Sequence, residues 1–346
     1  MTSTCPYFLV EHVNESSESV IIPISYSITL FSTALNFLGF YMILKKSKKE
    51  TRLFRFVLFG NQFFLWLCQG FWAIFMNTMS LFPFPALYSV SFFNQIWSTH
   101  TLFLIWLIFL TLFAVFMIAM LVVRHRMVVR SESLFKCPDT FYISVLVGGW
   151  VAGLSLLLVI WSFCNSSEQE QQDFVKEKFP TCQNIFSLPG VLVITKIHGL
   201  YSLLAIMVLI GTAAELVYII ASCIVLFELS KQTRKMSYST MSHHKKIVID
   251  TTVQKVQILI KSLFLATWAF WLFITYFIPP EVDTRVISLI INSLFVAAPI
   301  PGTIAMLIQN TVYRRFILEK LRIRSRNPSV VNPQSQYIVK QFSMVP

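Results

Sequence analysis

A long stretch without formal charge constrains this chain more than any other feature. Between Arg55 and Arg124 the sequence contains no Asp, Glu, Lys or Arg. The last part of this stretch, residues 101–123, is apolar on every side of a helix, and it is long enough to cross a hydrocarbon core of roughly 30 Å. A helix without a polar face is either a deep core helix or a membrane span, and this length favours the span.

The composition agrees with an integral membrane protein. Of the 346 residues, 55% are hydrophobic and 13% are charged, and the mean hydropathy is +0.67. The net charge of +12 resides in short basic runs between apolar segments, which is typical of membrane topology and not of a nucleic-acid-binding face. Six cysteines in a chain of this length make neither a disulfide scaffold nor a metal-binding pattern. We expect no nucleic acid, cofactor or metal.

The hydrophobic pattern predicts an all-α membrane protein, a seven-transmembrane helix bundle with the N-terminus outside and the C-terminus cytoplasmic. The transmembrane domain, residues 20–308, lies between an extracellular tail, residues 1–19, and a basic cytoplasmic tail, residues 309–346. Pro299, Pro301 and Gly302 should kink or locally unwind the last span. The predicted spans are residues 20–44, 56–78, 101–123, 141–163, 191–226, 256–277 and 286–308.

The basic residues predict which side of the membrane each loop faces. Six Lys or Arg and one Glu lie between Lys45 and Arg55, and this excess marks a cytoplasmic loop. The sequons at Asn14 and Asn165 both fall on the opposite, outer side, so both asparagines are candidates for glycosylation. The outer turn at residues 80–97 has no formal charge and should pack against the bundle.

Polar groups at membrane depth supply the candidate ligand site. No metalloprotease, nucleophile-elbow or phosphate-loop motif is present, so we do not expect an enzyme. Glu215 is either a ligand counter-ion or protonatable switch, or a neutral carboxyl bonded to a neighbouring helix. The aromatic candidates could instead form an interfacial belt. The candidate ligand-binding residues are Asn94, His100, Lys196, His198, Tyr201, Glu215, Trp268, Trp271 and Tyr276.

Basic residues at the inner ends of the spans could contact a cytosolic partner or anchor the chain to anionic lipid. These G-protein-facing candidates are Arg124, His125, Arg126, Arg130, Arg234 and Lys235. On the outer side, Cys5, Cys164 and Cys182 cannot all pair with one another. A bridge from Cys182 to Cys5 or to Cys164 is expected, and the spacing does not choose between them.

Four stretches of the chain carry a family resemblance. They are FPFPALYSVSF after the second span, LVVRHRMVV at the end of the third, EQEQQDFVKEKFPTCQNIFSLPGVLVI before the fifth and VYRRF after the seventh. Together they resemble the nematode serpentine chemoreceptors, most closely class H (Srh) of the Str superfamily, with class I close to it. The resemblance implies a G-protein-coupled receptor for environmental chemicals in the plasma membrane of sensory cilia.

The leading hypothesis is therefore a seven-helix chemosensory receptor. Its partners would be a small odorant-like molecule in the outer half of the bundle, a heterotrimeric G protein at the inner face and the lipid bilayer. The alternative is a transporter or channel for a small solute or ion, but Glu215 is the only acid at mid-membrane depth and no repeat of one half by the other is evident. A third hypothesis is a structural or trafficking partner of other receptors.

Overall fold

The computed structural model describes residues 15–46, 51–81, 84–89, 91–128, 136–188, 190–196 and 285–320, with single positions between 199 and 227. The helices in these ranges are α1 (Glu15–Lys46), α2 (Arg52–Gly70), α3 (Thr99–Val128), α4 (Asp139–Cys164), α5 (Glu168–Lys178), α6 (Arg285–Ala297), α7 (Pro299–Gln309) and α8 (Thr311–Lys320). The strands are β1 (Thr78–Ser80), β2 (Ala86–Ser89) and β3 (Leu192–Val193). A π-helical turn, Phe71–Met76, continues α2, and 3-10 helices cover Phe92–Gln95 and Pro180–Ser187.

Helices occupy the predicted spans 1 to 4 and 7, which confirms the helical prediction there. Within the described residues, four segments are long and apolar enough to cross a membrane, and α4 contains a shorter apolar segment. The four segments are Ile22–Lys46, Arg52–Met76, Thr99–Met120 and Ile290–Ile308. The sixth predicted span, residues 256–277, lies outside the described residues.

The predicted start of the fifth span is wrong. Residues 191–196 are not helical, and β3 lies among them. The described positions from Gly199 to Phe227 are helical, so the helix begins after β3. An apolar strand next to an apolar helix gives one continuous hydrophobic run, and hydropathy alone cannot divide it.

The helix α1 turns its polar side chains inward and its apolar side chains outward. Ser25, Thr29, Ser32 and Asn36 are buried, and their spacing places them on one face of the helix. Leu30, by contrast, is 74% exposed. This arrangement is the reverse of a water-soluble helix. It fits a helix whose outer face contacts lipid and whose inner face bonds to neighbouring helices.

The helices pack in a simple order. The helix α1 contacts α2 on one side and the α6–α7 pair on the other, while α3 contacts both α2 and α4. Gly60 allows the close approach of α2 and α3, because a Cβ atom there would lie 2.2 Å from a ring carbon of Phe116. Small residues at helix contacts are typical of membrane bundles.

The last predicted span is interrupted at its prolines, as expected. The helix α6 ends at Ala297 and α7 begins at Pro299, which cannot donate a backbone hydrogen bond. The basic helix α8 then packs against the end of α1: Tyr313 is 1% exposed beside Met42. The Lys46 Nζ atom also lies 4.4 Å from the centre of the Phe316 ring, a cation–π contact.

The α2–α3 contact predicts opposite effects for two Gly→Ala substitutions. Gly60→Ala should lower the free energy of unfolding by about 1–3 kcal/mol, because Phe116 must move to admit the methyl group. Gly148→Ala is the matched control, since no heavy atom lies within 4 Å of the added Cβ. It should be neutral or stabilising by about 0.5–1 kcal/mol. Unfolding in detergent micelles measures both, and equal effects would contradict the packing described here.

Candidate functional site

A three-stranded antiparallel sheet joins two connections that are distant in the sequence. The hairpin of β1 and β2 follows α2, and Thr78 pairs with Ser89 within it. The strand β2 also pairs with β3, with Leu87 opposite Leu192. The connection after α2 and the connection after α4 are therefore bonded to each other at the same end of the bundle.

The helix α5 and the 3-10 helix Pro180–Ser187 cover this sheet. A reciprocal capping box begins α5, with Ser167 and Glu170 each bonded to the backbone of the other. The Gln171 Oε1 atom accepts a hydrogen bond of 3.0 Å from the Val193 amide and so ties α5 to β3. We call the sheet, α5 and this 3-10 helix the cap. The buried residues of its core are Leu81, Phe84, Ala86, Tyr88, Val175, Cys182, Ile185 and Val193.

Polar contacts fasten the cap to the start of α3. The Thr99 hydroxyl donates to the Gly190 carbonyl at 2.7 Å, and the Asn94 amide donates to the Ser89 carbonyl at 2.8 Å. Gly190 adopts a positive φ of 55°, and a Cβ atom there would lie 2.5 Å from the Asn94 side-chain nitrogen. Glycine is therefore needed at this position both for the backbone angle and for the contact.

An aromatic cluster lies beneath the cap, between α2, α3 and α6. We define it as Trp72, Trp106 and Phe295, which are 2%, 1% and 5% exposed. The ring centroids of Trp72 lie 4.8 Å from Trp106 and 5.3 Å from Phe295. The Trp72 indole donates to the Asn292 Oδ1 atom at 2.5 Å. Leu87 and Ile194 belong to the same core and connect it to the cap.

A second group of polar side chains joins α1, α2 and α7 by hydrogen bonds. We call it the interhelical polar network, and its residues are Ser32, Asn36, Gln62, Gln69 and Thr303. The Gln62 amide donates to the Asn36 Oδ1 atom at 2.5 Å and to the Thr303 hydroxyl. The Ser32 hydroxyl donates to the Gln69 Oε1 atom at 2.8 Å. All five side chains are buried. Such bonds contribute about 0.6 kcal/mol each in membrane bundles on average, and they also fix the relative rotation of the helices.

At the opposite end of the bundle, His125 joins α3 to α4. Its Nδ1 atom lies 2.9 Å from the Tyr142 hydroxyl, and Tyr142 is buried. Burial lowers the pKa of the His125 imidazole, and the positive charge of Lys136 lowers it further. The imidazole is therefore neutral at physiological pH, and it becomes charged only as the pH falls below the ordinary value of 6.5.

The structure describes three of the predicted ligand-binding residues, Asn94, His100 and Lys196. Asn94 is half-buried and engaged in the cap, and His100 is half-buried in the first turn of α3. Lys196 is exposed just after β3. Their role in binding stays a prediction. The candidates outside the described residues are His198, Tyr201, Glu215, Trp268, Trp271 and Tyr276.

The inner and outer surface candidates are described only in part. Arg126 is exposed, and Arg124 lies in α3 beside His125. Asn165 is exposed between α4 and α5. Cys182 is disulfide-bonded, and its predicted pairing with Cys5 or Cys164 stays open. The backbone of Cys164 ends α4. The surface and disulfide candidates outside the described residues are Arg130, Arg234, Lys235, Asn14 and Cys5.

Reasoning from the sequence missed the interhelical polar network. It considered Asn94 and the charged and aromatic groups near the outer ends of the spans, and it did not consider the amides and hydroxyls inside the first two spans. The available signal was the helical spacing of Ser32 and Asn36 on α1 and of Gln62 and Gln69 on α2.

The comparison with known families decides the class of protein. A family model described as the serpentine type 7TM GPCR chemoreceptor Sri matches residues 11–317. The chain belongs to this family. The Sri family is a member of the nematode Str superfamily, so the resemblance to serpentine chemoreceptors is confirmed at that level. No curated protein matches the chain.

The match refines the predicted class of chemoreceptor. The sequence placed this Sri-family protein closest to class H, with class I second, and the model that matches is that of class I. The Sri family is a chemoreceptor family and not an enzyme family. The membrane character of the chain agrees with its apolar helices.

The polar network predicts a difference between two neighbouring amides of α2. Gln62→Leu should lower the free energy of unfolding by about 1–3 kcal/mol, because it removes the 2.5 Å bond to buried Asn36 and leaves only the longer bond of 3.3 Å from the Thr303 hydroxyl. Asn61→Leu is the control, since Asn61 is also buried but its Oδ1 atom has no hydrogen-bond partner. Asn61→Leu should cost much less. Unfolding of the two purified variants in micelles measures the difference, and equal losses would contradict a stabilising network.

Proposed function

We propose that this Sri-family protein binds a small external chemical in the outer half of its helix bundle and signals to a heterotrimeric G protein. The observation that carries the proposal is the family match over residues 11–317. The buried aromatic cluster beneath the cap supports it, because small-molecule sites are mostly apolar with a few polar groups.

Seven crossings with the N-terminus outside form part of the proposal. The pairing of β2 with β3 supports it, because the chain must leave α2 and α4 on the same side of the membrane to form one sheet. Basic residues end α1 and α3 at the opposite side, at Lys46 and Arg126, and basic residues favour the cytoplasm. The cap is then extracellular, with Asn165 on its surface as a glycosylation candidate.

The division into an outer tail, a membrane domain and an inner tail follows the same orientation. Residues 1–19 would be extracellular, although α1 already begins at Glu15. Residues 20–308 would form the bundle, and residues 309–346 would be cytoplasmic. The packing of α8 beside Lys46 supports an inner position for the start of this tail. The family resemblance favours the plasma membrane of sensory cilia as the location.

The inner end of α3 is the proposed surface for the G protein. Arg124 and Arg126 follow the apolar part of α3, and the His125–Tyr142 contact holds this end of α3 against α4. A ligand that shifts the outer ends of the helices would change the arrangement of this surface, provided that it binds one arrangement better than the other. The remaining basic candidates on this face are Arg130, Arg234 and Lys235.

The receptor proposal is tested with cells that express the full chain with a surface tag. A broad panel of small chemicals is applied, and nucleotide exchange on co-expressed G proteins is measured in their membranes. At least one chemical should accelerate the exchange only when the receptor is present. A panel that never changes G-protein turnover, with receptor shown at the surface, would contradict the proposal.

Substitution of Arg126 tests whether the inner end of α3 contacts the G protein. Arg126→Ala should lower the exchange response about tenfold or more, because bonds from a charged donor contribute about 1.5–3 kcal/mol. The amount of receptor at the surface should not change. Arg315→Ala is the control, since Arg315 is exposed on α8 and lies 3.8 Å from Glu319 on the same helix. Equal loss of response and of surface receptor in Arg126→Ala would count against a coupling role.

A further inference from the structure

The end of α2 has an unusual backbone. The π-helical turn Phe71–Met76 closes with a hydrogen bond of 2.7 Å from the Asn77 amide to the Trp72 carbonyl. Asn77 then adopts φ 34° and ψ 54°, a left-handed conformation that few residues other than glycine and asparagine tolerate. Single π-helical turns of this kind are frequent at functional sites.

This backbone places three polar atoms in the interior without partners. Asn77 is 1% exposed, and neither its Oδ1 nor its Nδ2 atom has a hydrogen-bond partner. The adjacent Thr78 is 4% exposed, and its Oγ1 atom has no partner either. Buried polar groups are almost always bonded, so a cluster of three that are not requires an explanation. A polar group of a bound molecule would satisfy them.

Asn77 lies next to the aromatic cluster, in which a hydrogen bond fixes the orientation of the Trp72 ring. Asn77 directly follows Met76, which packs in the same core as Trp72, Trp106 and Phe295. The strand β1, which begins at Thr78, lies against α6, the helix that carries Phe295. The unpaired atoms therefore lie at the junction of the aromatic cluster and the cap. The bond from Trp72 to Asn292 on α6 fixes the orientation of the indole.

The π-helical turn and the aromatic cluster offer no charge to a ligand, and the charged side chains of α5 and of Lys196 are exposed. Residues 56–123 and 286–297 contain no Asp, Glu, Lys or Arg. A charged ligand would lose its hydration there without gaining a counter-ion from these elements. The Asn77 side chain provides a donor and an acceptor, and the Thr78 hydroxyl can act as either. Flat apolar groups suit the faces and edges of the indole and phenyl rings.

We propose that Asn77 and Thr78, with Trp72, Trp106 and Phe295, form the receptor's ligand site. The site takes a small uncharged molecule with an aromatic or alicyclic body and one hydroxyl or carboxamide group. This inference rests on the proposed receptor function and adds the position of the site and the chemical class of the ligand. The polar group bonds to Asn77 and Thr78, and the ring system packs on the aromatic cluster.

The test measures binding to the full chain in nanodiscs, without G protein, by saturation-transfer NMR titration. Benzamide and benzyl alcohol are the neutral probes, toluene lacks the polar group, and benzoate carries a charge. Benzamide and benzyl alcohol should bind saturably, and toluene and benzoate should bind at least about tenfold more weakly, which corresponds to about 1.4 kcal/mol. Absence of saturable binding by both neutral probes, or equal binding by benzoate, would overturn the proposal.

Two substitutions locate the bound probe. Asn77→Gly keeps the left-handed backbone but removes the amide, and it should lower the affinity for benzamide about tenfold. Thr78→Val should also weaken binding, yet raise the melting temperature of the ligand-free protein, because it replaces an unpaired hydroxyl with a methyl group. A residue with only a structural role would not produce these opposite changes.

Asn61→Leu is the matched control, because Asn61 is a buried amide of α2 with an unpaired oxygen in the middle of the helix. It should leave the affinity unchanged. Equal loss of affinity in Asn61→Leu and Asn77→Gly, or no loss in either, would overturn the assignment of the site. The binding test contains no G protein, so it is independent of the nucleotide-exchange test. Binding of the probes without any nucleotide-exchange response would contradict only the proposed signalling. A nucleotide-exchange response without binding of the probes would contradict only this site.

Discussion

The lack of water inside a bilayer is the constraint on which this structure depends. A polar side chain that faces hydrocarbon has no solvent partner, so it must bond to the protein. The helix α1 meets this requirement by placing Ser32 and Asn36 inside, where they bond to α2. Its apolar side chains face outward, as the exposure of Leu30 shows. The same requirement explains why α7, which begins at Pro299, joins the network through Thr303.

The two ends of the bundle meet the constraint in different ways. At one end, the pairing of β1, β2 and β3 provides hydrogen bonds for the backbone of the connections. The Gln171 side chain accepts a further hydrogen bond from the Val193 amide in β3. At the other end, α8 packs against α1, and the His125–Tyr142 contact joins α3 to α4. Of the helices that bound the aromatic cluster, α2 also carries part of the polar network and α3 carries the inner contact. A change at the cluster thus has continuous packed elements through which to reach the inner face, which is the arrangement that a receptor requires.

Local patterns in the sequence predicted the helices but not the cap or the polar contacts. Residues 101–123 identify a span because length and hydropathy are local properties. The pairing of Leu87 with Leu192 is not local, and β3 merges with the apolar run that follows it. The bond from Gln62 to Thr303 likewise joins residues far apart in the chain. Asn77 was not predicted because nothing local in the sequence shows that its side chain is buried without partners, whereas the break before Pro299 followed directly from the chemistry of proline.

The central claim is that the chain crosses the bilayer an odd number of times, with its cap outside and its basic helix ends inside. Protease protection of epitope tags at the two termini of the full chain in intact cells tests this most directly. The account predicts that external protease removes the N-terminal tag and leaves the C-terminal tag intact until the membrane is permeabilised. If both tags are cleaved, or both protected, in intact cells, the orientation and the receptor function that depends on it are contradicted.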